Sequence, residues 1–251
     1  MARQVGIIKL KGTIGDISFY KSKDGHLART KGGVDANRIA TDPAFQRTRE
    51  NGSEFGRAGK GGTLFRTAMR VLMQNASDKR VTSRLTKEMV AVIKADTTNE
   101  RGARTIQDGN MGLLESFEFN INGKLATLLF APYTSTVDRT AGTIVANIPV
   151  FTPSTNIVAP AGTTHFKLSS GGAEIDFANE TYVFDSESSA ILPWNGTATT
   201  ALTLTANLTA NSTLPIFQVV GIEFFQEVNG QMYPLKNGSY NALAIVGINT
   251  P

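Results

Sequence analysis

The sequence contains no cysteine. Neither a disulfide framework nor a thiolate metal site can be built from it. Histidine is almost as scarce: His26 and His165 lie in different halves of the chain, and nothing in the sequence pairs them. A histidine-based metal centre or a Ser-His-Asp triad needs such a pairing, so an exposed His26 and a half-buried His165 are expected instead. No apolar run approaches the ~18–20 residues of a membrane span. The apolar patch Val5 to Leu10 is interrupted by Gly6 and Lys9 and is too short for a signal-peptide core. Synthesis in the cytoplasm without a Sec signal peptide is therefore expected. The final location stays open between a cytoplasmic assembly, a virion-like particle and a released filament.

Charge is also low, at 18% of 251 residues, and it is divided unevenly. Residues 1–110 carry 21 Lys+Arg and 11 Asp+Glu, a net +10, whereas residues 111–251 carry 4 and 10, a net −6. Opposite charge on two parts of a chain can attract other copies of it or a polyanion. The second half fills its polar positions with Thr, Asn, Ala, Gly and Ser, a composition that suits β-structure.

Periodicity predicts an α+β chain of two domains. Residues 1–110 read as a basic β-hairpin element followed by helices, with strands at Val5–Leu10, Ile17–Tyr20 and His26–Thr30, and with turns at Gly12–Gly15 and Lys23-Asp24-Gly25. Lys31–Thr41 reads as a loop. Asp42-Pro43 starts a helical region, with a break expected near Gly59–Gly62 because each glycine costs about 1 kcal/mol relative to Ala. A second helix opens at Ser77-Asp78 and ends before Thr97. Residues 111–251 read as an acidic, antiparallel, immunoglobulin-like β-sandwich. Its strands are expected at Gly142–Val150, Thr163–Ser169, Ala173–Phe184, Thr199–Asn207, Pro215–Gln226, Gln231–Tyr233 and Ala242–Ile248. A hairpin is expected about Asn122-Gly123, and turns at Gly171-Gly172 and Asn229-Gly230.

Few residues suggest catalysis. Gly56–Thr63 is glycine-rich, but Gly follows Lys60 and Glu54 stands where a phosphate loop needs Gly. The carboxylates Glu174/Asp176 and Glu115/Glu118 lack a neighbouring substrate-binding cluster and read as solvated sheet positions. No cofactor and no metal is expected. The cations Arg47, Arg49, Arg57, Lys60, Arg66, Arg70, Arg80, Arg84 and Lys87 populate the helical region, and spacing puts Arg66 with Arg70 and Arg80 with Arg84 on shared faces. They are candidate contacts to another subunit or to a polyanion.

The stretch Gly12–Lys21, then Lys23-Asp-Gly25, Ala28-Arg29 and Asp42–Arg49, resembles the opening of small Bacteroidota proteins that carry a phage- or prophage-like N-terminal motif. Pro160–Phe166 is similar to the β-sandwich end of the same group. The group has no established activity, so the resemblance implies a non-enzymatic, phage-derived component and maps no functional residue.

The leading expectation is a structural protein that self-assembles into a filament, tube or particle, its basic half docking on the acidic sandwich of the next copy. Nucleic-acid binding through the basic helices is the alternative. An adhesin or glycan-binding sandwich using Trp194, Tyr182 or Tyr233 as stacking platforms ranks third, and an enzyme last.

Overall fold

The structure, a computed structural model, describes residues 2–30 and 32–251. Helices and antiparallel sheets are mixed along the chain. Two compact units emerge, Met1–Asn51 and Gly52–Pro251. The division therefore does not fall near residue 110, where the charge changes sign. Helices that follow residue 51 bury their apolar stripe on a sheet formed by the second half, and one core joins them.

The first unit holds β1 (Ala2–Arg3), β2 (Gly12–Ile14), β3 (Ile17–Ser22) and β4 (Gly25–Thr30) in the antiparallel order β1-β4-β3-β2. Gly25 opens β4 with φ of 106°, a conformation open to glycine. The expected strand over Val5–Leu10 does not form. Those residues loop out, and the Gln4 amide stands in for a strand partner. Leu10 N–H donates to Gln4 Oε1 at 2.8 Å, and Gln4 Nε2 donates to Leu10 O at 3.3 Å. The loop expected over Lys31–Thr41 is partly helical: α1 (Ala36–Thr41) is capped by Asp35, while Lys31 lies outside the described residues. Asp42 accepts the Ala44 N–H at 2.9 Å and starts the next turn, as its Asp-Pro pair announces.

α2 (Gln46–Ala68) crosses the division as one uninterrupted helix, followed by α3 (Arg70–Met73) and α4 (Val81–Lys94). The expected break near Gly59–Gly62 is absent. Gly61 and Gly62 face inward, where a Cβ on Gly61 would lie 2.1 Å from Ile106 Cδ1. Close packing, not flexibility, explains these glycines, and burial outweighs their poor helix propensity.

After α5 (Leu125–Leu128) come β5 (Thr134–Asp138), β6 (Thr143–Ile148), β7 (His165–Asp176), β8 (Thr181–Ser188), β9 (Leu192–Pro193), β10 (Leu202–Asn207), β11 (Ile216–Val228), β12 (Gln231–Pro234) and β13 (Ala242–Asn249). One sheet has the order β10-β6-β5. The larger runs β12-β11-β7-β8, with β13 also on β11 and β9 also on β7. Phe217 and Val219 of β11 join Phe65, Leu85, Met89 and Ile93 of the helices in one core. Val220, Ile222 and Phe224 join Ile148 and Leu204 of the smaller sheet in another. The larger sheet is thus covered on both faces, which is why β11 reads as a near-continuous apolar run.

The hairpin expected about Asn122-Gly123 is also absent. Residues 116–119 run along β13 instead, with the N–H groups of Ser116 and Phe119 donating to Ile245 O and Leu243 O, each at 2.9 Å. This pairing covers the β13 edge and buries Phe117 and Phe119, a gain that outweighs a local turn signal. Gly171-Gly172 is not a turn. It lies within β7, where a Cβ on Gly172 would stand 2.1 Å from Ile144 Cδ1 of the other sheet and one on Gly171 2.7 Å from Ser186 Cβ of the neighbouring strand, so Gly172 marks the close approach of the two sheets. β5 has no counterpart among the expected strands. The Asn229-Gly230 hairpin forms as expected, with φ of 51° and 75°.

Candidate functional site

Three of the nine candidate cations hold the fold together. Arg49 donates to Ile39 O at 2.7 Å and Asp42 O at 2.9 Å. Arg57 donates to Gly102 O, whose own N–H donates to Glu54 Oε1 at 2.8 Å. Arg84 donates to Glu118 O at 2.6 Å and Phe119 O at 3.1 Å, pairs with Asp78, and lies 5.1 Å over the Phe117 ring. Burial opposes ionisation of Asp78, but N–H donors from Ile121 and Arg80 and the Arg84 guanidinium outweigh it and hold the carboxyl below its ordinary range. These arginines anchor loops and are not available to a partner.

The remaining six are more accessible. Arg47 pairs with Glu50 at 3.0 Å, Lys87 with Glu88 at 3.4 Å, and Lys60 lies 3.7 Å from Glu180. Arg66 donates to Thr63 Oγ1 at 3.1 Å. Arg70 and Arg80 are exposed and make no ion pair among the described residues. Arg66 and Arg70 line a shallow depression of about 320 Å³. Lys79 and Arg80 line a cleft of about 490 Å³, and the two depressions meet at Gln74. One basic strip therefore gathers Arg66, Arg70, Lys79 and Arg80; Lys60 lines other depressions and Lys87 lies elsewhere on α4.

The first unit presents a different surface. Opposed residues of antiparallel strands share a face. The pairings Ile14↔Ile17, Phe19↔Ala28 and Ala2↔Ala28 gather Ile14, Ile17, Phe19 and both alanines on one side of the sheet. None of the described residues from 2 to 51 is buried. In the loop closed by Gln4, Val5 is 84% exposed, Ile8 79%, and Ile7 wholly. Residues 1–51 carry ten Lys+Arg and five Asp+Glu, a net +5.

Acidic residues concentrate on β8 and its approach. No Lys or Arg occurs between Lys167 and Lys236, whereas Glu174, Asp176, Glu180, Asp185 and Glu187 fall within one hairpin. Asp185 and Glu187 accept the N–H groups of Asn207 and Thr205 at 2.7 and 2.5 Å, closing the seam between the two sheets along β10. Glu174 accepts Thr209 N–H at 3.3 Å. Asp176 accepts the N–H groups of Ala178 and Asn179, and the Asn179 donors hold its carboxyl below its usual value. Burial pushes Glu118 above its ordinary range despite the N–H of Leu125 at 3.1 Å. Glu180, Thr181, Tyr182 and Val183 of the β7–β8 hairpin are exposed.

The other single residues have structural roles. His26 is half-buried in β4, rather than exposed as expected. His165 is half-buried and bonds through Nδ1 to Thr164 Oγ1 at 2.9 Å. Trp194 packs on a core, its Nε1 donating to Ile157 O at 3.2 Å. No His/Asp/Glu group able to hold a metal occurs among the described residues. No helix among them is long and apolar enough to cross a membrane.

No family model and no curated protein matches the chain. A solved structure from work on pH-induced modulation of Streptococcus parasanguinis adhesion by Fap1 fimbriae aligns with 47% of this chain and 82% of its own, at 13% identity. Its TM-score of 0.23 is too low to carry any argument.

Sequence reading places Val5–Leu10 in a strand and so does not single out its aliphatic side chains as an exposed loop. The available signal was size: a segment this short, without cysteine, has little means of building a core.

Proposed function

We propose that the protein is a non-enzymatic structural subunit that assembles with copies of itself, and that the Met1–Asn51 unit is its connector. One observation carries this reading: none of the described residues 2–51 is buried, although they form a four-stranded sheet bearing Ile14, Ile17 and Phe19 on one face. Units of this size usually rely on disulfides, a metal or association. The chain has no cysteine, and its described residues offer no metal-binding cluster. Association is what remains. Burying Val5, Ile7 and Ile8 against a neighbour would contribute about 1.5–3 kcal/mol for each side chain.

The role of charge changes accordingly. Helices from 52 to 95 already lie on a sheet of their own chain through apolar side chains. Residues 1–51 are the part of the basic half that combines positive charge with exposed aliphatic side chains. The two packed antiparallel sheets of the second unit belong to the same reading, as an immunoglobulin-like sandwich with a helical layer on its larger sheet.

Sedimentation velocity and negative-stain microscopy of the full chain at low salt test the proposal. Mass that grows with concentration into filaments, tubes or particles is expected. A monodisperse monomer at tens of micromolar overturns it.

Nucleic-acid binding is the second reading, favoured by the strip of Arg66, Arg70, Lys79 and Arg80 around Gln74. Four phosphate contacts would make affinity fall with salt at a logarithmic slope of about −3 to −4. A gel shift without binding at low salt removes this reading.

A further inference from the structure

We propose that the acidic β8 margin of one copy receives the basic N-terminal sheet of the next, in a head-to-tail contact. The inference rests on the self-assembly reading and specifies its surfaces. On the donor side stands a unit of net +5 with an uncovered apolar sheet face and an exposed aliphatic loop. Its sheet edges, β1 and β2, are two and three residues long beside six-residue β4 and β3, so part of each longer strand extends past its short partner.

On the acceptor side, β8 ends the order of the larger sheet. Its first residues, Thr181, Tyr182 and Val183, are exposed, and the last two add apolar surface. Glu180, Asp185 and Glu187 flank them in a sequence stretch without any Lys or Arg, and Lys60 of α2 lies 3.7 Å from Glu180. Asp185 and Glu187 accept backbone N–H groups of β10 and stay in place as fixed negative charges.

Charge favours this contact over a face-to-face pairing of two N-terminal units. Pairing two N-terminal units face to face would bring together two surfaces of net +5, and like-charge juxtaposition is strongly disfavoured. Seating one on the β8 margin pairs opposite signs and covers apolar surface on both sides. Different patches then meet, so the contact is heterologous. Each added copy leaves one donor and one acceptor surface unpaired, the condition for an open polymer.

A charge-swap experiment on the full-length protein tests this, read by sedimentation velocity at low salt. The donor variant is Lys21→Glu with Lys23→Glu, and the acceptor variant is Glu180→Lys with Thr181→Lys; all four side chains are exposed. Each variant alone is expected to need about tenfold more protein for half-assembly than the wild type. An equimolar mixture of the two should co-assemble more readily than either one. Circular dichroism checks that both variants are folded, and a second acceptor variant, Thr181→Lys alone, serves if the first is not. Variants that assemble like the wild type, or a mixture no better than its parts, overturn the β8 contact while leaving self-assembly standing. A wild type that stays monomeric overturns both.

Discussion

The two units meet the same solvent with opposite outcomes. Residues 52–251 place Phe65, Phe119, Phe166, Phe217 and Phe224 out of reach of water, on both faces of one sheet. The described residues from 2 to 51 include a sheet of comparable regularity, and none of them is fully buried. The difference lies in layers, not in strand quality. β11 is sandwiched between helices and a second sheet, whereas on the N-terminal sheet Ile14 and Ile17 stay exposed and Phe19 half-buried. Secondary structure alone supplies little stability without a second layer to pack on.

The sharpest way to test this contrast is a pair of truncations. Phe217→Ala, at the meeting of the Phe65 and Phe177 rings, should destabilise the second unit by about 3–5 kcal/mol in urea unfolding. Phe19→Ala should leave that transition unchanged and weaken assembly instead. Equal losses in the same transition would erase the distinction between the units.

Glycines give a smaller effect. Gly172→Ala sets a Cβ 2.1 Å from Ile144 Cδ1 and 2.9 Å from Phe217 O, and should lower the unfolding midpoint by an amount equivalent to about 1–3 kcal/mol. At Gly59 a Cβ meets nothing within 4 Å, so Gly59→Ala should stabilise α2 by up to about 1 kcal/mol. A flexible hinge at Gly59–Gly62 would reverse the sense of the second result.

Acid separates two carboxylates of the second unit. Asp78 has a folded-state pKa below its unfolded one, so its stabilisation is full above the ordinary carboxylate range and is lost as pH falls through the lowered value. Glu118 is shifted upward by burial, so the fold gains as pH falls through the raised value. Asp78→Asn should lower the urea midpoint at neutral pH and flatten its decline in acid. Glu118→Gln should not lower it at neutral pH, because the amide oxygen still accepts the Leu125 N–H. Matching pH profiles for the two variants would contradict these environments.

The smallest contrast concerns the seam. Glu187→Gln weakens a charge-assisted bond to Thr205 N–H and should cost about 1 kcal/mol. Arg70→Ala, on an exposed side chain without an ion pair among the described residues, should change stability by less than about 0.5 kcal/mol.

Local chemistry was legible where it decides the outcome alone. The Asp42-Pro43 cap, the Asn229-Gly230 hairpin and the apolar stripe of α4 were all readable from sequence. Legibility failed wherever a distant partner decides. Gly61, Gly62 and Gly172 look like breaks but serve contacts with Ile106, Leu85 and Ile144. Asn122-Gly123 looks like a hairpin, yet Phe117 and Phe119 pair with β13 some 120 residues away. Charge marked the cations of the candidate site but not their fate. Arg49, Arg57 and Arg84 are bonded to carbonyl oxygens, a use that composition does not reveal. The aliphatic loop of residues 5–10 was visible as a pattern, and only its lack of a partner strand was not.

Hydrogen–deuterium exchange of the full-length chain across a concentration series tests the central claim most directly. The amides of β3 and β4 should exchange rapidly in dilute protein and gain protection as the sedimenting mass grows, while those of β7 and β11 stay protected throughout. Strong protection of β3 and β4 in a dilute monomer would show that the N-terminal sheet needs no neighbour, and would contradict the account.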